Sequence, residues 1–591
     1  MTDTRDDPID PQTGEITDAG IRTFLIPVSK FKKHYLQVPQ ELADILSSRL
    51  EKEPLSVYDS DTKKEFILDF YPKKLLVEGL GEWFRDHNPG RECEISLSVL
   101  DRENRKLEIH LEGKPTGEGS AGLYLGKKYN MVGGRKYEAD RKWFLPESDL
   151  LTHVFICGVT GSGKTVVGKA LIEEAALLGI PSIVLDLKGD LSSMALNLTS
   201  VEELEKWIEV RSSQDRTAAL KQTFERHIKN LGSSGLALED VESFRRVVDI
   251  RVFTPRSNKG LPIGFASPLG APPYPVDLYR QEKETFNNLV ASLTNAFMDR
   301  LYPGVKRPKI ENERNYVYEL VHHAWLHGIN LHGEAGLREL LRLVDEPPFE
   351  EIGGLPVPQY IDAENRRKRL LNKINTMLAG PEKMWFEGPP LSMDVFLGAS
   401  PGKTPINVIN LTELDHFEDR TFVVAQLAYE VNKWMRNQSG TERPRLVFFI
   451  DEIGGGGGRQ AFFPSFPYES AAKWGLNYLV RQGRGVGVCC VFATQNPGDV
   501  DYKGLSNCHT WIIGKLATDR DRKKVMEGME VWGFEAERIR RNMVGAATGD
   551  FVVKTAAGEV NYVKERWLRS YHRVLTLAEV GKLPKSPCSP P

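Results

Sequence analysis

The sequence predicts an α/β protein built on a mainly parallel sheet, with a small N-terminal β-barrel domain before it. From about residue 123 onward, apolar runs typical of buried strands alternate with helical patterns, which indicates a parallel sheet. Short β-like segments with turn signals between them fill residues 21–112, as in compact barrels. A glycine-rich loop of the phosphate-binding type joins one predicted strand to a helix.

The length and composition are those of a soluble protein with several domains. The chain has 591 residues, 40% of them hydrophobic and 27% charged. Its formal charge of −3 leaves no global basic field, so any contact with nucleic acid must come from local patches or from the inside of an assembly. No stretch approaches ~18 consecutive apolar residues, and the polar residues 1–20 do not resemble a secretory signal. We therefore expect a cytoplasmic protein that does not enter a membrane.

The six cysteines are scattered without zinc-binding spacing. Cys157, Cys489 and Cys490 fall in predicted buried strands, so we expect reduced thiols that act as small apolar residues.

The predicted elements begin in the N-terminal region, where strands are expected at 23–28, 55–58, 65–70, 93–100 and 106–111, with helices at 40–49 and 80–87. A glycine-rich connector at 113–122 follows. The strands expected in the α/β region are 154–157, 182–185, 250–253, 406–409, 446–450, 488–493 and 511–513. A helical region at about 199–400 is expected to pack on one edge of the sheet as an insertion.

The loop 158–165 has the complete form GxxxxGK[ST], with an apolar run before it and a helical pattern after it. Its backbone amides can cradle phosphates, Lys164 can reach the β- and γ-phosphates, and the Thr165 hydroxyl can bind Mg²⁺. A plain glycine turn has no need of Lys-Thr at this spacing. The nucleotide-contacting residues that the motif predicts are Gly158, Thr160, Gly161, Ser162, Gly163, Lys164, Thr165 and Val166.

An apolar run, 446–450, ends in Asp451-Glu452. We predict that Asp451 holds Mg²⁺ and that Glu452 is the base that activates water. The alternative is a buried strand that enters an acidic turn. A second run, 488–493, leads to Gln495, which we predict to sense the γ-phosphate or the attacking water. Its alternative is a polar residue that closes a strand before an Asn-Pro turn.

Arginines near a phosphate site often act in the site of a neighbouring subunit. Arg484 is the first candidate and Arg481 the second, with Arg520 and Arg522 as a further pair. Surface ion pairing is the alternative for each. Asp186 ends the strand after the phosphate-loop helix, where we expect it to act indirectly at Mg²⁺, and Lys188 could face phosphate or a neighbouring subunit.

Four segments together resemble the HerA/FtsK branch of P-loop motor ATPases, and within it the HerA-like group. They are HVFICGVTGSGKT (153–165), IVLDLKGDL (183–191), LVFFIDE (446–452) and RQGRGVGVCCVFATQNPGDV (481–500). The likeness covers roughly residues 123–570. One departure is that relatives commonly continue Asp-Glu with Ala-His, whereas here Ile453 precedes a glycine run, 454–458. This run could be a disordered pore or interface element, or a surface linker.

The resemblance implies a RecA-like P-loop fold and a homo-hexameric ring that uses ATP and Mg²⁺ to move double-stranded DNA through a central pore. It further implies Lys164 and Thr165 at phosphate and magnesium, Asp451 and Glu452 at magnesium and water, and Gln495 as sensor. Together with the composition and the strand pattern, it predicts a disordered N-terminus at 1–20, the barrel at 21–112, a linker and the start of the ATPase domain at 113–150, the ATPase domain at 151–575 and a tail at 576–591.

HerA-like proteins usually start with a small barrel for assembly or partner docking, and we favour that role here. The succession of segments also looks like a DNA-binding pseudobarrel. The residues that would contact DNA in that case are Arg22, Lys30, Lys32, Lys33 and Tyr35. A basic cluster, Arg366–Arg369 with Lys373, could guide DNA, although a solvated helix face is the simpler reading.

The leading functional hypothesis is an ATP-driven DNA translocase or helicase-like motor. We find no nuclease motif, so a nuclease or other effector for DNA end processing or phage defence is expected as a separately encoded partner. Two alternatives remain, a nucleotide-gated scaffold ATPase and a conjugation- or secretion-type motor. A GTP-specific switch is disfavoured because the chain lacks an NKxD motif.

Overall fold

The structure, a computed structural model, describes residues 23–27, 31–32, 35–38, 40–46, 53–59, 64–78, 80, 83, 94–101, 106–112, 122–132, 135–208, 216–265, 269–530 and 533–584. The chain divides into two compact units, Met1–Gly122 and Leu123–Pro591. The predicted disordered segment 1–20 lies outside the described residues, and the predicted five-part domain division stays a prediction. Within the described ranges, no helix combines the length and apolarity needed to cross a membrane.

The first unit contains an eight-stranded sheet in the order β1-β7-β8-β4-β5-β6-β3-β2. Its strands are β1 Thr23–Pro27, β2 Phe31–Lys32, β3 Tyr35–Gln37, β4 Glu53–Asp59, β5 Lys64–Tyr71, β6 Leu76–Glu78, β7 Glu94–Asp101 and β8 Lys106–Glu112. The helix Gln40–Ile45 adds Leu42 to a core that includes Leu55, Phe70 and Ile109. The predicted helix at 80–87 lies mostly outside the described residues. No pairing among the described residues joins the edge strands β1 and β2, so the predicted barrel is not confirmed.

The second unit is built on an eleven-stranded sheet in the order β10-β9-β21-β20-β19-β11-β18-β17-β12-β16-β13. Its strands are β9 Gly122–Val132, β10 Arg135–Pro146, β11 Val154–Cys157, β12 Ser182–Asp186, β13 Val248–Phe253, β16 Thr404–Asn410, β17 Leu446–Ile450, β18 Val488–Thr494, β19 Thr510–Ile513, β20 Asp550–Lys554 and β21 Val560–Glu565. The strands from β19 to β13 in this order run parallel. The predicted mainly parallel α/β sheet is therefore confirmed. A separate two-stranded hairpin pairs β14 Glu351–Ile352 with β15 Leu355–Pro356.

The central strands are apolar on both faces because helices cover both faces. In β17, Phe448 and Ile450 join one core with the helices Phe417–Met435 and Ala471–Val486. Val447 and Phe449 join the opposite core with the phosphate-loop helix Lys164–Leu177. This burial explains why the apolar runs predicted the parallel strands closely. The thiols of Cys157, Cys489, Cys490 and Cys508 are free and buried.

The α-helices described in this unit are Lys164–Leu177, Val201–Glu205, Arg216–Ser233, Leu238–Val247, Pro275–Gln281, Lys283–Leu301, Glu311–Leu326, Gly333–Asp345, Val357–Tyr360, Lys368–Met377, Met393–Leu397, Phe417–Met435, Ala471–Val486, Tyr502–Leu505, Asp519–Met529, Gly533–Gly545 and Leu577–Val580.

The helical insertion packs differently from the prediction. Its long helices share a core of their own, with Phe286, Trp325 and Leu370 among its members. The helix Lys283–Leu301 joins this core to Phe417–Met435 and Ala471–Val486, so the long helices of the insertion rest on the helix layer over one face. The strand β13 of the same region does lie at the sheet edge. Near the edge strand β13, Arg251 donates hydrogen bonds of 2.8 Å to the carbonyl oxygens of Val395 and Phe396.

Four strands on the other side of β19 were not predicted. β20 pairs antiparallel with β19, β21 with β20, and β9 with β21, and β10 is the outermost strand. The sequence gives a weak signal here, because β9 begins in the glycine-rich connector and β10 starts with the largely charged run RKYEADRK. These strands matter for function because β21 ends beside the phosphate loop.

Candidate nucleotide-binding and catalytic site

The phosphate loop lies between the end of β11 and the helix that begins at Lys164. Gly163, the residue before the helix, has φ of 103°, in the left-handed region that glycine adopts without strain. A Cβ at Gly163 would lie 2.5 Å from Glu565 Oε1, so a larger residue does not fit. The loop therefore presents the amino end of a buried helix, with its unpaired N–H groups, to an anion.

The loop is held by Lys515, which follows β19, and by Thr548 and Gly549, which precede β20. Val159 N–H donates to the carbonyl oxygen of Lys515 at 2.8 Å. On the other side, Gly549 N–H donates to Ser162 O, and Thr548 Oγ1 donates to Gly161 O, both at 2.9 Å. The sequence offered no signal for this support, because the segment at 547–549 carries no recognisable motif.

Lys164 is buried at the base of the loop, where its ammonium donates to the carbonyl oxygens of Gly158 at 2.7 Å and Val159 at 3.1 Å. Burial lowers the pKa of Lys164, and the nearby carboxylates of Glu452 and Asp451 oppose that shift. A buried ammonium held only by carbonyl oxygens suits a site that receives an anionic ligand.

Asp451 follows β17 and lies next to the first turn of the phosphate-loop helix. Thr165 Oγ1 donates to Asp451 Oδ1 at 3.4 Å, and Asp451 is 2% exposed. Burial, reinforced by the carboxylates of Asp190 and Glu452, raises the pKa of Asp451 to about 7. The two predicted magnesium ligands therefore lie together, where a divalent cation would relieve the cost of the buried charge.

Glu452 is held by the next strand along the sheet. Its Oε1 accepts hydrogen bonds from Thr494 Oγ1 at 2.8 Å and from Gln495 N–H at 3.0 Å. Thr494 is the last residue of β18, and its part in the site was not predicted. These bonds fix the predicted base relative to the predicted sensor.

Gln495 reaches the phosphate loop with its side chain. Thr160 Oγ1 donates to Gln495 Oε1 at 2.6 Å. This contact joins the tip of β18 to the loop that is predicted to hold phosphate, which is the position that the sensor role requires.

Lys188 faces both predicted catalytic carboxylates. Its ammonium lies 3.4 Å from Glu452 Oε2 and 3.9 Å from Asp451 Oδ2. The Lys188 side chain is 40% exposed, at the mouth of the site. The sequence suggested phosphate or a neighbouring subunit as its partner, whereas the structure gives it carboxylate partners within its own chain.

Asp186 has a different surrounding from the predicted one. Its Oδ1 accepts from Gly189 N–H at 2.7 Å, and its Oδ2 accepts from the Ser192 backbone at 2.7 Å and hydroxyl at 2.6 Å. Both oxygens hold the turn after β12, so the contacts of Asp186 are those of a structural residue rather than of one that faces Mg²⁺.

Arg481 and Arg484 are exposed and lie in the last turns of the helix Ala471–Val486, not in a connector as predicted. That helix leads into the amino end of β18, whereas Thr494 and the catalytic groups lie at its carboxyl end. A seven-residue strand spans about 20 Å, so neither arginine can serve the site of its own chain.

The second arginine pair follows β19 on the same edge of the sheet as the phosphate loop. Arg522 is buried and donates to the carbonyl oxygens of Leu516 at 2.7 Å and Ala517 at 3.1 Å, which is a structural role. Arg520 is exposed on the helix Asp519–Met529.

The glycine run after Glu452 is a described, folded segment that includes a short 3-10 turn, Gly456–Gly458. Just before the run, Ile453 N–H donates to Ala493 O in β18, and after it Ser465 N–H donates to Asp499 O. Phe466 at the tip of this segment is 91% exposed. The segment thus rests on the residues that follow Gln495 and ends in an exposed aromatic ring.

The residues of the site fit a nucleoside triphosphate with Mg²⁺. Ser162 Oγ is buried without a hydrogen-bond partner among the described residues, and Asp451 is a buried carboxylate beside a hydroxyl. No group of three or more His, Cys, Asp or Glu side chains in the described part of the chain could hold a metal ion by itself. Mg²⁺ commonly binds one or two protein ligands together with substrate phosphates, and Thr165 and Asp451 supply such a pair.

The other predicted contact residues lie away from this site or outside the described ranges. Arg22, Lys30 and Lys33 are outside them, and Lys32 and Tyr35 lie on β2 and β3 of the first unit. In the basic cluster, Arg366 pairs with Glu313 at 3.5 Å and Lys373 lies over the Tyr302 ring. Both contacts favour the structural reading of that cluster.

Residues 136–223 match the family model "Helicase HerA-like C-terminal". The match contains the phosphate loop and the segment of Asp186 and Lys188, and it confirms the predicted resemblance to HerA-like ATPases. No curated protein matches the chain.

Solved structures of two other proteins resemble the chain at low identity. VirB4 of Thermoanaerobacter pseudethanolicus has 13% identity and a TM-score of 0.43, with 76% of this chain and 98% of that chain covered. The plasmid coupling protein TrwB in complex with ADP and Mg²⁺ has 13% identity and a TM-score of 0.40, with coverage of 78% and 98%. TM-scores this low assign no activity to the chain.

Proposed function

We propose that this chain, which carries a HerA-like helicase C-terminal segment, is an ATP-driven motor that translocates double-stranded DNA as a homo-hexameric ring. The observation that carries the proposal is the meeting of a complete phosphate loop with Asp451 and Glu452 at the carboxyl edge of one parallel sheet. Ligands in open α/β sheets bind at this edge.

Nucleotide binding is assigned to the loop and the helix that follows it. The backbone amides of 158–165 and the ammonium of Lys164 would contact the phosphates, while Thr165 and Asp451 would hold Mg²⁺. The metal supplies charge neutralisation at the β- and γ-phosphates. ATP rather than GTP is favoured because the chain lacks an NKxD motif.

Hydrolysis is assigned to Glu452, with Gln495 beside it. The carboxylate of Glu452 would accept a proton from the attacking water. Gln495 can respond to the triphosphate because its side chain already contacts Thr160 of the phosphate loop. Its backbone N–H also holds Glu452 Oε1, so a change at the phosphates can reach the base through one residue.

A ring is proposed because the arginine candidates at the opposite edge of the sheet need a neighbouring subunit. Arg484 is exposed beyond the amino end of β18, where a second copy could offer its nucleotide. In this arrangement the guanidinium of Arg484 stabilises charge on the neighbour's phosphates, with Arg481 as the second candidate.

The experiment that tests translocation is the displacement of a third DNA strand from linear duplex DNA. We expect ATP-dependent displacement by the wild-type chain and none by Glu452→Gln or Lys164→Ala. ATP hydrolysis without displacement on any duplex would instead support a scaffold ATPase. Displacement that requires the motor to move along single-stranded DNA would instead support a conjugation-type motor.

A separately encoded nuclease or other effector completes the proposal, with DNA end processing or phage defence as the setting. Its support is the absence of a recognisable nuclease motif from the sequence together with the HerA-like resemblance. Adding the product of a neighbouring gene to the displacement assay tests it. DNA cleavage that requires both proteins and ATP is the expected result.

A further inference from the structure

Lys188 lies in a turn whose backbone is fixed on both sides. The Lys188 N–H donates to Asp186 Oδ1 at 3.2 Å. Gly189 accepts a hydrogen bond of 2.8 Å from Leu575 N–H through its carbonyl oxygen, and its φ of 85° leaves no freedom for a bulkier residue. The backbone at Lys188 is therefore fixed, while its side chain reaches the mouth of the site and is partly exposed.

The order of the strands places Lys188 beside the predicted catalytic carboxylates. β12 pairs in parallel with β17, with Leu185 opposite Ile450, so residues just beyond β12 lie next to residues just beyond β17. Among the described residues, Lys188 is the one cation that forms an ion pair with Asp451 or Glu452.

The other lysines of the site are engaged elsewhere. Lys164 donates to the carbonyl oxygens of the phosphate loop. Lys169 is buried behind the site and donates to Asp190 O at 2.9 Å and Ser193 Oγ at 2.8 Å. Neither ammonium is in contact with the carboxylate oxygens of Asp451 or Glu452, so Lys188 compensates their charge when no ligand is bound.

The ion pair of Lys188 competes with the proposed binding of Mg²⁺ and water. A divalent cation on Asp451 would meet a like charge at the Lys188 ammonium. A base must also offer a lone pair to water. Thr494 and Gln495 both bond to Oε1 of Glu452, so Oε2 is the oxygen left for water, and Lys188 competes for that oxygen.

We propose that Lys188 is the resting-state counter-ion of Asp451 and Glu452, which the Mg²⁺–nucleotide complex displaces. Until then Lys188 balances the charge of the two carboxylates and holds Glu452 Oε2. The inference rests on the proposed function for its consequence in turnover, but the ion-pair exchange itself does not require that the chain be a DNA motor. Lys188 is a positioning residue, since it acts through Glu452 and Asp451.

The test is the thermal melting of nucleotide-free protein against MgCl₂ concentration, for the wild type, Lys188→Gln, Lys188→Arg and the control Lys221→Gln, which alters an exposed helical lysine. Loss of the counter-ion should lower the melting temperature of Lys188→Gln without Mg²⁺. Mg²⁺ should then restore it at concentrations at least about tenfold lower than those that affect the wild type. Lys188→Arg and Lys221→Gln should follow the wild type.

An Mg²⁺ response of Lys188→Gln equal to or weaker than that of the wild type would overturn the inference. A second readout is the split between kcat and KM for ATP. If the nucleotide must displace Lys188, Lys188→Gln should have a lower KM for ATP, with kcat unchanged or raised. If Lys188 instead binds phosphate, Lys188→Gln should have a higher KM, which would contradict the inference. If the Mg²⁺ response appears but no variant hydrolyses ATP, the proposed function fails while the counter-ion role stands.

Discussion

Thr160 in the phosphate loop donates a hydrogen bond of 2.6 Å to Gln495 Oε1, across 335 positions of sequence. The next residue back from Gln495, Thr494, donates to Glu452 Oε1 at 2.8 Å. The end of β18 therefore connects the phosphate loop to the proposed base. This connection gives a physical route by which the state of the nucleotide can set the position of the catalytic carboxylate.

Thr160→Val removes the hydrogen bond to Gln495 and keeps the shape of the side chain. A single hydrogen bond of this kind contributes about 1 kcal/mol, so we expect kcat for ATP to fall about three- to tenfold. Nucleotide affinity should change little, because Lys164 and the loop amides remain. Steady-state kinetics and fluorescent-nucleotide binding measure the two effects. Thr160→Ser should restore kcat, and a variant with unchanged kcat would show that the contact has no part in turnover.

Arg484→Ala should abolish most ATP hydrolysis if the guanidinium acts in a neighbouring subunit. Mixing it with Glu452→Gln subunits should restore part of the activity, because some interfaces then join an intact base to an intact arginine. Arg443→Ala is the matched control, since Arg443 is exposed on the same edge of the sheet. Failure of any mixture to recover activity would count against the role in trans and direct attention to Arg520.

Asp451→Asn should stabilise the nucleotide-free protein in a pH-dependent way. The pKa of Asp451 is raised to about 7 by burial and by the carboxylates around it, so the folded state holds a proton that the unfolded state has lost between about pH 4 and 7. The free-energy cost of burying the ionised Asp451 carboxylate is therefore absent below pH 4 and reaches its full value above pH 7. We expect the variant to gain roughly 1 to 3 kcal/mol at pH 8 and little at pH 4.

Denaturant unfolding at the two pH values measures this difference, with Asp277→Asn at an exposed helix position as the control. If Asp451→Asn raises the free energy of unfolding by as much at pH 4 as at pH 8, the charge of Asp451 does not destabilise the folded protein. Mg²⁺ at millimolar concentration should reduce the gain at pH 8, because the cation relieves the same charge in the wild type.

Glu173→Gln should destabilise the second unit. Glu173 is fully buried in the phosphate-loop helix, where it pairs with Arg566 at 2.9 Å and accepts from Ser570 Oγ at 2.9 Å. Glu173 and its neighbour Glu174 together balance the charges of Arg566 and Arg569. Removal of one carboxylate leaves an excess positive charge in this buried cluster, and we expect a loss of about 3 kcal/mol in the free energy of unfolding. Glu225→Gln, at an exposed position, should change it by less than about 0.5 kcal/mol. Equal stability of the two variants would contradict the prediction.

The parallel strands and the phosphate loop could be predicted because their signals are local. β11 and β17 have the predicted bounds, since a strand buried on both faces reads as a continuous apolar run. Asp451 and Glu452 were found for the same reason, as carboxylates directly after such a run.

The remaining features depend on contacts between distant segments, which a single sequence does not display. Glu565 and the segment at 547–549 lie against the phosphate loop at the ends of β21 and β20. The runs FVV and VNYV are typical of strands, but nothing in the sequence places them beside that loop. Lys188 was singled out, but its carboxylate partners follow from the order of β12 and β17 in the sheet. Asp186 was predicted to act at Mg²⁺, but both of its oxygens accept hydrogen bonds from the turn after β12. The sequence alone does not show these contacts.

The most direct test of the central claim is steady-state ATP hydrolysis by the purified chain with and without linear duplex DNA, with Glu452→Gln as the control. The account predicts that DNA stimulates hydrolysis and that Glu452→Gln binds ATP but turns over at least about a hundredfold more slowly. Hydrolysis by Glu452→Gln at the wild-type rate would contradict the assignment of the base. Wild-type hydrolysis that duplex DNA leaves unchanged would contradict the DNA motor.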